Sequence, residues 1–183
     1  MTDRSVKLVM GCLLHDIGKV IAEPGGGSMG HGQNGYEFLK KEIHLEEEAL
    51  LDIVRYHHAP GEVREEDALV CIAAAADRIA ADVDKNGGSR EDVPFTCSMP
   101  LQSIFNRLNG NRGKMYYQPA VLRQGGEVPY PTEKKERISR DFYEEIRQNI
   151  SAGLAKIEVS QESVAALLEL LEANFSYVPA SSE

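Results

Sequence analysis

The chain has 183 residues, of which 42% are hydrophobic, and this is enough to bury one sizeable core in a single domain with at most a short appendage. No run of about 18 apolar residues is present, and the N-terminal apolar stretch has no cleavage site, so we expect neither a membrane span nor a signal peptide. The net charge of −9 argues against tight electrostatic binding of nucleic acid by the chain as a whole.

Helical periodicity of apolar residues dominates the first half of the chain. We expect Gly18 to end the first helix, and the glycine-rich stretch 23–28 to form a loop before His31. The apolar run 69–76 predicts a helix at the centre of the fold. The predicted helices are Ser5–Val20, one that starts near His31 and contains Tyr36, then Leu45–His58 and Glu65–Val83.

The second half has a weaker pattern. Pro100–Leu108 contains a short predicted helix, and residues 110–131 are expected to form loops with a possible small hairpin. Helices are predicted at Glu133–Ala155 and Gln161–Phe175. The fold class predicted is therefore all-α, with at most a minor β element.

Three cysteines lie far apart in the chain, at Cys12, Cys71 and Cys97. Their odd number and wide separation predict a reduced, cytoplasmic protein without a disulfide framework, and the absence of a CxxC pair argues against a structural zinc knuckle.

Six side chains of metal-binding types recur along the first 77 residues: His15, Asp16, His31, His57, His58 and Asp77. Imidazole nitrogens and carboxylate oxygens together suit Mn, Fe, Co, Ni or Zn. Two such ions a few ångströms apart can hold both the attacking and the leaving oxygen of a phosphodiester. The set therefore predicts a metal-dependent phosphohydrolase with one or two ions.

We expect the ligands to divide into two groups that share one carboxylate. Asp16 would bridge two ions, with His15 and Asp77 on the first, and the remaining three histidines, His31, His57 and His58, on the second. Asp77 follows an eight-residue apolar run, so we expect its carboxylate to be at least partly buried, where a charge is costly unless it is paired or bound to a metal. The alternative for Asp77 is a salt bridge, for example to Arg78.

Other residues near these ligands have open or ordinary roles. Lys19 lies one helical turn after His15, where it could neutralise charge on a scissile phosphate, or could point to water as a helix-terminal lysine. Gly25–Gly27 lacks the Gly-Lys-Ser/Thr of a phosphate loop and is better interpreted as a flap near the metals. His44 is outside the pattern and is expected at the surface.

Several segments together resemble a known family. The HD superfamily is indicated by 13–19 (LLHDIGK), His31, 35–39 (GYEFL), 56–58 (YHH) and 76–80 (ADRIA). With 100–105 (PLQSIF) and 174–179 (NFSYVP), the chain resembles more narrowly the N-terminal HD domain of the large subunit of type III-A CRISPR–Cas effector complexes.

The resemblance implies an all-α HD fold with permuted helix order and metal-dependent cleavage of single-stranded DNA in antiviral defence. It also implies other subunits of an RNA-guided complex as partners, and Mn, Ni or Co as the cofactor. In this setting His15, Asp16 and Lys19 would be catalytic. Many HD enzymes have a further upstream histidine that this chain lacks, so a one-metal site stays open.

The resemblance also suggests a division of the chain. Residues 1–92 would form the HD metal-binding core, 93–176 a helical continuation with loops, and 177–183 a linker to an absent following domain. The family's large subunit makes cyclic oligoadenylates through a Gly-Gly-Asp-Asp motif that this chain does not contain.

Two other functions fit the same residues. One is an HD hydrolase of nucleotides or cyclic dinucleotides, with which the negative net charge is easily reconciled. The other is a degenerate HD module that serves as a scaffold and binds no divalent metal.

Overall fold

The computed structural model describes residues 1–21, 30–63, 68–85, 97–108, 110 and 113–179, with side chains of 82–85 excepted. Phe38–Glu42 forms a π-helical turn, and Pro60–Glu62 forms a 3-10 turn. Eight α-helices form within the described ranges: α1 (Asp3–Leu14), α2 (Ile17–Ile21), α3 (His31–Glu37), α4 (Glu48–Tyr56), α5 (Ala68–Lys85), α6 (Phe105–Leu108), α7 (Arg140–Leu154) and α8 (Ser163–Phe175).

The first predicted helix is broken at the two residues that carry the chemistry. Instead of one helix over Ser5–Val20, α1 ends at Leu14 and α2 begins at Ile17, so that His15 and Asp16 lie in the turn between them. The prediction of a continuous helix was wrong. It relied on the apolar periodicity, which continues across the break and so does not reveal the turn.

Gly18 does not end a helix but is buried inside α2. A Cβ atom at this position would overlap the carbonyl oxygen of His31 and lie 2.7 Å from the backbone nitrogen of Gly35. The absence of a side chain therefore allows α2 to pack directly on the backbone of α3, which begins at His31.

The central helix of the described structure is α4. Its apolar residues Leu50, Leu51, Ile53 and Val54 are completely buried, and the helix packs against α1, α3 and α5. Ser/Thr/Asp/Asn capping is absent at its start, so tertiary packing accounts for its stability.

By contrast, α5 is not central, which corrects the prediction from its apolar sequence. Val70, Ala73 and Ala74 are buried, but Ile72 and Ile79 are exposed, Ile79 by 68%. Among the described residues, α5 packs through one side, against α1, α4 and the 3-10 turn. Cys71 is on the exposed side, and all three cysteines are free.

Extended segments replace part of two predicted helices. Only Phe105–Leu108 of the first is helical. Residues 133–139, predicted as the start of a long helix, are non-helical because Thr132 pairs with Tyr116 and the Ile138 N–H donates to the Ser98 carbonyl. Helix α7 begins only after Ser139, whose hydroxyl accepts a hydrogen bond from the Phe142 N–H.

The minor β element consists of isolated antiparallel bridges in the described residues, Gln102 with Tyr116 and Tyr116 with Thr132. Leu122, placed in the possible hairpin, instead donates its N–H to the Ala173 carbonyl of α8. The all-α fold class is confirmed.

One apolar core joins the two halves of the sequence. Its fully buried members come from α2, α4, α7, α8 and the turn after α3: Ile17, Leu39, Leu50, Leu51, Val54, Ile146, Ile150 and Leu167. Tyr177 contacts the ring of Tyr117 and Val178 packs against this core. The predicted boundary at residue 92 and the last four residues of the predicted linker lie outside the described residues, so the division into domains remains a prediction.

No helix in the described part of the chain combines the length and apolar character needed to cross a membrane.

Candidate metal centre

Two helix ends orient the first pair of imidazoles. His15 is the C-cap of α1 and donates from Nδ1 to the Cys12 carbonyl at 2.7 Å, and His57 is the C-cap of α4 and donates from Nδ1 to the Val54 carbonyl at 2.9 Å. Carbonyls in the last turn of a helix lack an intrahelical N–H partner, so each accepts the ring proton three residues on. In the neutral rings this leaves Nε2 unprotonated and available as a ligand.

The two carbonyl groups are functional parts that the sequence analysis missed. The sequence could have indicated them, because a histidine at the C-cap of a helix is within reach of the backbone carbonyl three residues earlier.

Four of the predicted ligands form a compact cluster. The ligand atoms of Asp16, His31, His57 and His58 all lie within 4.8 Å of one another. His31 Nε2 is 3.1 Å from Nε2 of both His57 and His58, and 3.2 Å from Asp16 Oδ1. His57 is almost completely buried, with 1% of its surface exposed, whereas His58 is on the solvent side.

The remaining two ligands lie beside this cluster. His15 Nε2 is 3.4 Å from Asp16 Oδ2 and 3.5 Å from Asp77 Oδ1. Asp77 Oδ2 is also 3.8 Å from His58 Nδ1. All six predicted residues are therefore brought together, and the two oxygens of Asp16 face the two groups that the sequence predicted.

Lys19 contacts the shared carboxylate. Its Nζ lies 3.0 Å from Asp16 Oδ2, and its side chain is mostly covered. It therefore does not extend freely into water, as one of its two interpretations required.

The charges of the cluster shift its pKa values in opposite directions. Burial alone would raise the pKa of Asp16, but contacts with His15 and His31 and the ammonium of Lys19 lower it well below its usual range. Burial, followed by repulsion from His58 and His15, lowers the pKa of His57 to about 4. Burial opposes charge on His15 too, but Asp16, the Cys12 carbonyl and Asp77 together raise its pKa. Asp16 is thus an anion and His57 a neutral ring at pH 7.

These residues fit a divalent transition metal. Among the described residues, none donates a well-aligned hydrogen bond to the buried Asp16 Oδ1. Three Nε2 atoms also converge at distances where unprotonated lone pairs repel, unless a cation or a proton lies between them. Two nitrogens bound to one ion at about 2.0–2.1 Å lie roughly 3.0–3.4 Å apart, which matches the 3.1 Å separations. The mixed nitrogen and oxygen set suits Mn, Fe, Co, Ni or Zn.

The exposure of other residues singled out in the sequence can also be described. Asp77 is half-buried, and Arg78 beside it is exposed. His44 is exposed, as predicted, and adopts a left-handed backbone with φ of 60°. Gly25–Gly27, predicted as a flap, lies outside the described residues.

The protein-family comparison agrees with this geometry. Residues 2–82 match the model described as "HD domain", and this range contains all six predicted ligands. This segment is therefore similar to HD domains.

Relatives match beyond the HD domain itself. The chain is 29% identical over 214 residues to a protein of Mycobacterium tuberculosis, and 32% identical over 190 residues to one of Streptococcus thermophilus. Both are named "CRISPR system single-strand-specific deoxyribonuclease Cas10/Csm1 (subtype III-A)". Each match includes 100% of this chain but only 26% and 25% of the respective relative, so the chain spans about a quarter of their length.

Solved structures show the same fold. A crystal structure of Csm1 in T. onnurineus matches 100% of this chain and 25% of its own, with a TM-score of 0.67 and 23% identity. A Csm1–Csm4 cassette in complex with AMPPNP matches 97% of this chain and 25% of its own, with a TM-score of 0.66 and 24% identity.

Proposed function

We propose that this chain is a metal-dependent nuclease domain that hydrolyses phosphodiester bonds of single-stranded DNA. The observation that carries the proposal is the convergence of Asp16 Oδ1 with three imidazole nitrogens around a buried oxygen that lacks a hydrogen-bond donor among the described residues. Such a set has no structural use in itself, because burying it without a cation costs free energy.

The ligands would divide around Asp16. Asp16, His31, His57 and His58 would hold one ion, and His15, Asp16 and Asp77 a second one if it binds. A bound ion would supply Lewis-acid activation of the phosphodiester and of the attacking water. Mn, Ni or Co is expected to serve, and Mg poorly, because Mg prefers all-oxygen octahedral ligands.

The protein's own contribution is orientation and charge. The Cys12 and Val54 carbonyls fix the rings of His15 and His57, so little reorganisation is needed when a ligand binds. Lys19 Nζ, held 3.0 Å from Asp16 Oδ2, is a cation at the edge of the cluster. We assign it a catalytic role in neutralising negative charge that develops on the scissile phosphate.

The substrate and the biological setting rest on the relatives. Their name specifies a single-strand-specific deoxyribonuclease of subtype III-A, and similar structures include Csm1 with Csm4. We therefore propose a role in a cytoplasmic type III CRISPR effector complex, with the other subunits as partners.

A metal-resolved nuclease assay tests this function. We expect the chain to cleave single-stranded DNA with Mn, Ni or Co and more slowly with Mg. Cleavage of duplex DNA should be much slower, because base stacking leaves its backbone less free to bring one phosphate to the metals. The double variant His15→Ala, Asp16→Ala should lose cleavage by at least 100-fold. His44→Ala, which alters an exposed histidine outside the site, is the matched control.

The same assay separates the alternatives. Hydrolysis of nucleotides or cyclic dinucleotides without cleavage of single-stranded DNA would assign the site to small substrates. Failure to bind any of these metals would leave a scaffold module. A folded double variant with wild-type cleavage would place the activity elsewhere.

A further inference from the structure

Positive charge is concentrated in one part of this acidic protein. Residues 101–140 contain eight Lys or Arg and three Glu, whereas the whole chain has 20 Lys or Arg and 29 Asp or Glu. The seven basic residues of this stretch that the structure describes are all exposed: Arg107, Lys114, Arg123, Lys134, Lys135, Arg137 and Arg140. Their local field is opposite to that of the rest of the chain.

Most of these residues are held on an ordered frame, which we call the basic ladder and define as residues 102–107, 114–118 and 130–137. Its three segments are joined by the antiparallel bridges at Tyr116. The buried Asn106 side chain bonds both the N–H and the carbonyl of Met115. Gln118 donates to the Thr132 hydroxyl and the Lys134 carbonyl, which fixes the third segment against the second.

Several cations of the ladder contact no carboxylate within the part of the chain that the structure describes. Arg107, Lys114 and Arg137 contact no carboxylate of a described residue, and Lys135 lies over the Tyr116 ring at 5.6 Å. Lysines of the N-terminal half, in contrast, are paired: Lys7 with Asp3 and Glu47, Lys19 with Asp16, Lys40 with Glu48, and Lys41 with Glu37. Exposed cations on one frame that contact no described carboxylate favour an external anion.

Two aromatic rings on the ladder also face solvent. Phe105 is 56% exposed and Tyr130 is 80% exposed. Tyr130 lies two residues from the bridge residue Thr132, and Lys114 two residues from Tyr116, so both are within about 7 Å of the bridged row along the backbone. Aromatic rings next to basic residues are the combination on which successive bases of a single strand stack.

We propose that the basic ladder binds single-stranded DNA as a second site, separate from the metal centre. Lys114 and Arg137 contact backbone phosphates, and Tyr130 stacks on a base. Charge complementarity identifies the occupant, because a polyphosphate chain is the ligand that an otherwise acidic protein binds through one basic surface. The proposal rests on the proposed function, since it describes how the substrate strand is held outside the cluster.

Binding can be measured without catalysis. The full chain in EDTA is titrated onto a 5′-fluorescein-labelled dT15 oligonucleotide, and anisotropy is followed at several salt concentrations. Lys114→Gln, Arg137→Gln should weaken binding several-fold and reduce the slope of log K against log salt by about 1.4, from roughly 0.7 per phosphate contact. Tyr130→Ala should weaken binding about fivefold or more, and Tyr130→Phe should restore it.

The matched control removes two exposed cations away from the ladder, Arg4→Gln and Lys156→Gln, and should bind like wild type. Equal loss in this control, an unchanged affinity in the ladder variants, or equally tight binding of a poly-glutamate peptide would overturn the proposal. Ladder-dependent binding by a chain that cleaves no DNA with any metal would instead support the ladder and refute the proposed function.

Discussion

Asp16 is the residue on which the candidate site depends, because its two oxygens face different partners. Oδ1 faces His31 and His57, at 3.2 and 3.8 Å, whereas Oδ2 faces His15 and Lys19. A single carboxylate can therefore serve both groups only in the geometry that the turn after α1 provides. This turn explains how adjacent residues, which point about 100° apart on a continuous helix, reach one cluster.

A second residue-scale feature lies away from the metals and predicts a pH effect. The Tyr143 hydroxyl donates to the Cys97 carbonyl at 2.7 Å, and burial, followed by the nearby Cys97 thiol, raises the pKa of Tyr143 to about 12. A folded-state pKa above the ordinary value of 10 means that this stabilisation is complete below about pH 10 and is lost as the pH rises through 12.

We therefore expect Tyr143→Phe to lower the free energy of unfolding by about 1 kcal/mol at pH 8, where the hydrogen bond is intact. The difference from wild type should shrink between pH 10 and 12, as measured by urea unfolding at each pH. Tyr130→Phe, which alters an exposed ring, is the control. A difference that stays constant up to pH 12 would show that this hydroxyl does not titrate with folding.

The sequence predicted that six side chains would lie close together, and the structure brings them together, while their role as metal ligands stays a prediction: His15, Asp16, His31, His57, His58 and Asp77. What residue types do not reveal is the orientation of each ring. For His15 and His57, that orientation depends on the backbone carbonyls of Cys12 and Val54. Every residue has such a carbonyl, so residue types alone do not show which carbonyls will bond to a ring.

At the scale of elements, the packing of α2 on α3 is what brings His31 to Asp16. Gly18 and Gly35 lie at this contact, where the backbones approach too closely for a side chain at Gly18. His31 begins α3, so a displacement of α3 by even a methyl group would move its imidazole relative to the Asp16 carboxylate.

Gly18→Ala should thus lower both stability and metal binding. We expect a loss of about 2–3 kcal/mol in the free energy of unfolding, which is at the upper end of the usual cost of overpacking. The added methyl group would clash with backbone atoms, and no side-chain rotation can relieve such a clash. Urea denaturation and Mn titration would measure the two effects. Gly61→Ala is the control, since a Cβ there meets nothing within 4 Å, and its effect should stay within about 0.5 kcal/mol. Normal stability in Gly18→Ala would contradict the close approach.

Element boundaries were predicted less well than elements, for identifiable reasons. Periodicity detects an apolar stripe but not a two-residue turn within it, so the break at His15 was missed. The charged run 133–137 favours a helix locally, yet the pairing of Thr132 with Tyr116 keeps it extended. The apolar composition of α5 indicated burial, but within the described ranges one of its sides packs against other helices and the opposite side is exposed.

For the whole molecule, the site is a place where separate elements meet. The six predicted ligands come from the α1–α2 turn, α3, the end of α4 and α5, all within residues 2–82, while α7 and α8 complete the apolar core. An ion held by Asp16, His31, His57 and His58 would link three of these parts, and a second ion held by His15, Asp16 and Asp77 would add α5. Bound ions would also offset some of the net charge of −9. Metal binding should therefore stabilise the fold as a whole.

The size of this stabilisation follows from linkage. A ligand that binds only the folded state at 100 times its Kd contributes about 2.7 kcal/mol. For a chain of this size, each kcal/mol shifts the melting temperature by about 2–4 °C, so Mn at that concentration should raise the Tm by roughly 5–10 °C. His58→Gln replaces the most exposed ligand of the cluster, which makes it the substitution least disruptive to packing, and it should reduce this shift while leaving the Tm without metal nearly unchanged. His44→Gln, an equally conservative change of an exposed histidine outside the site, should retain the full shift.

Calorimetry with and without Mn measures all three proteins in parallel. If wild type and His58→Gln showed the same Mn-induced shift, the stabilising ion would be bound elsewhere. The cluster around Asp16 would then lose its assignment as the metal centre, whatever the nuclease assay gave.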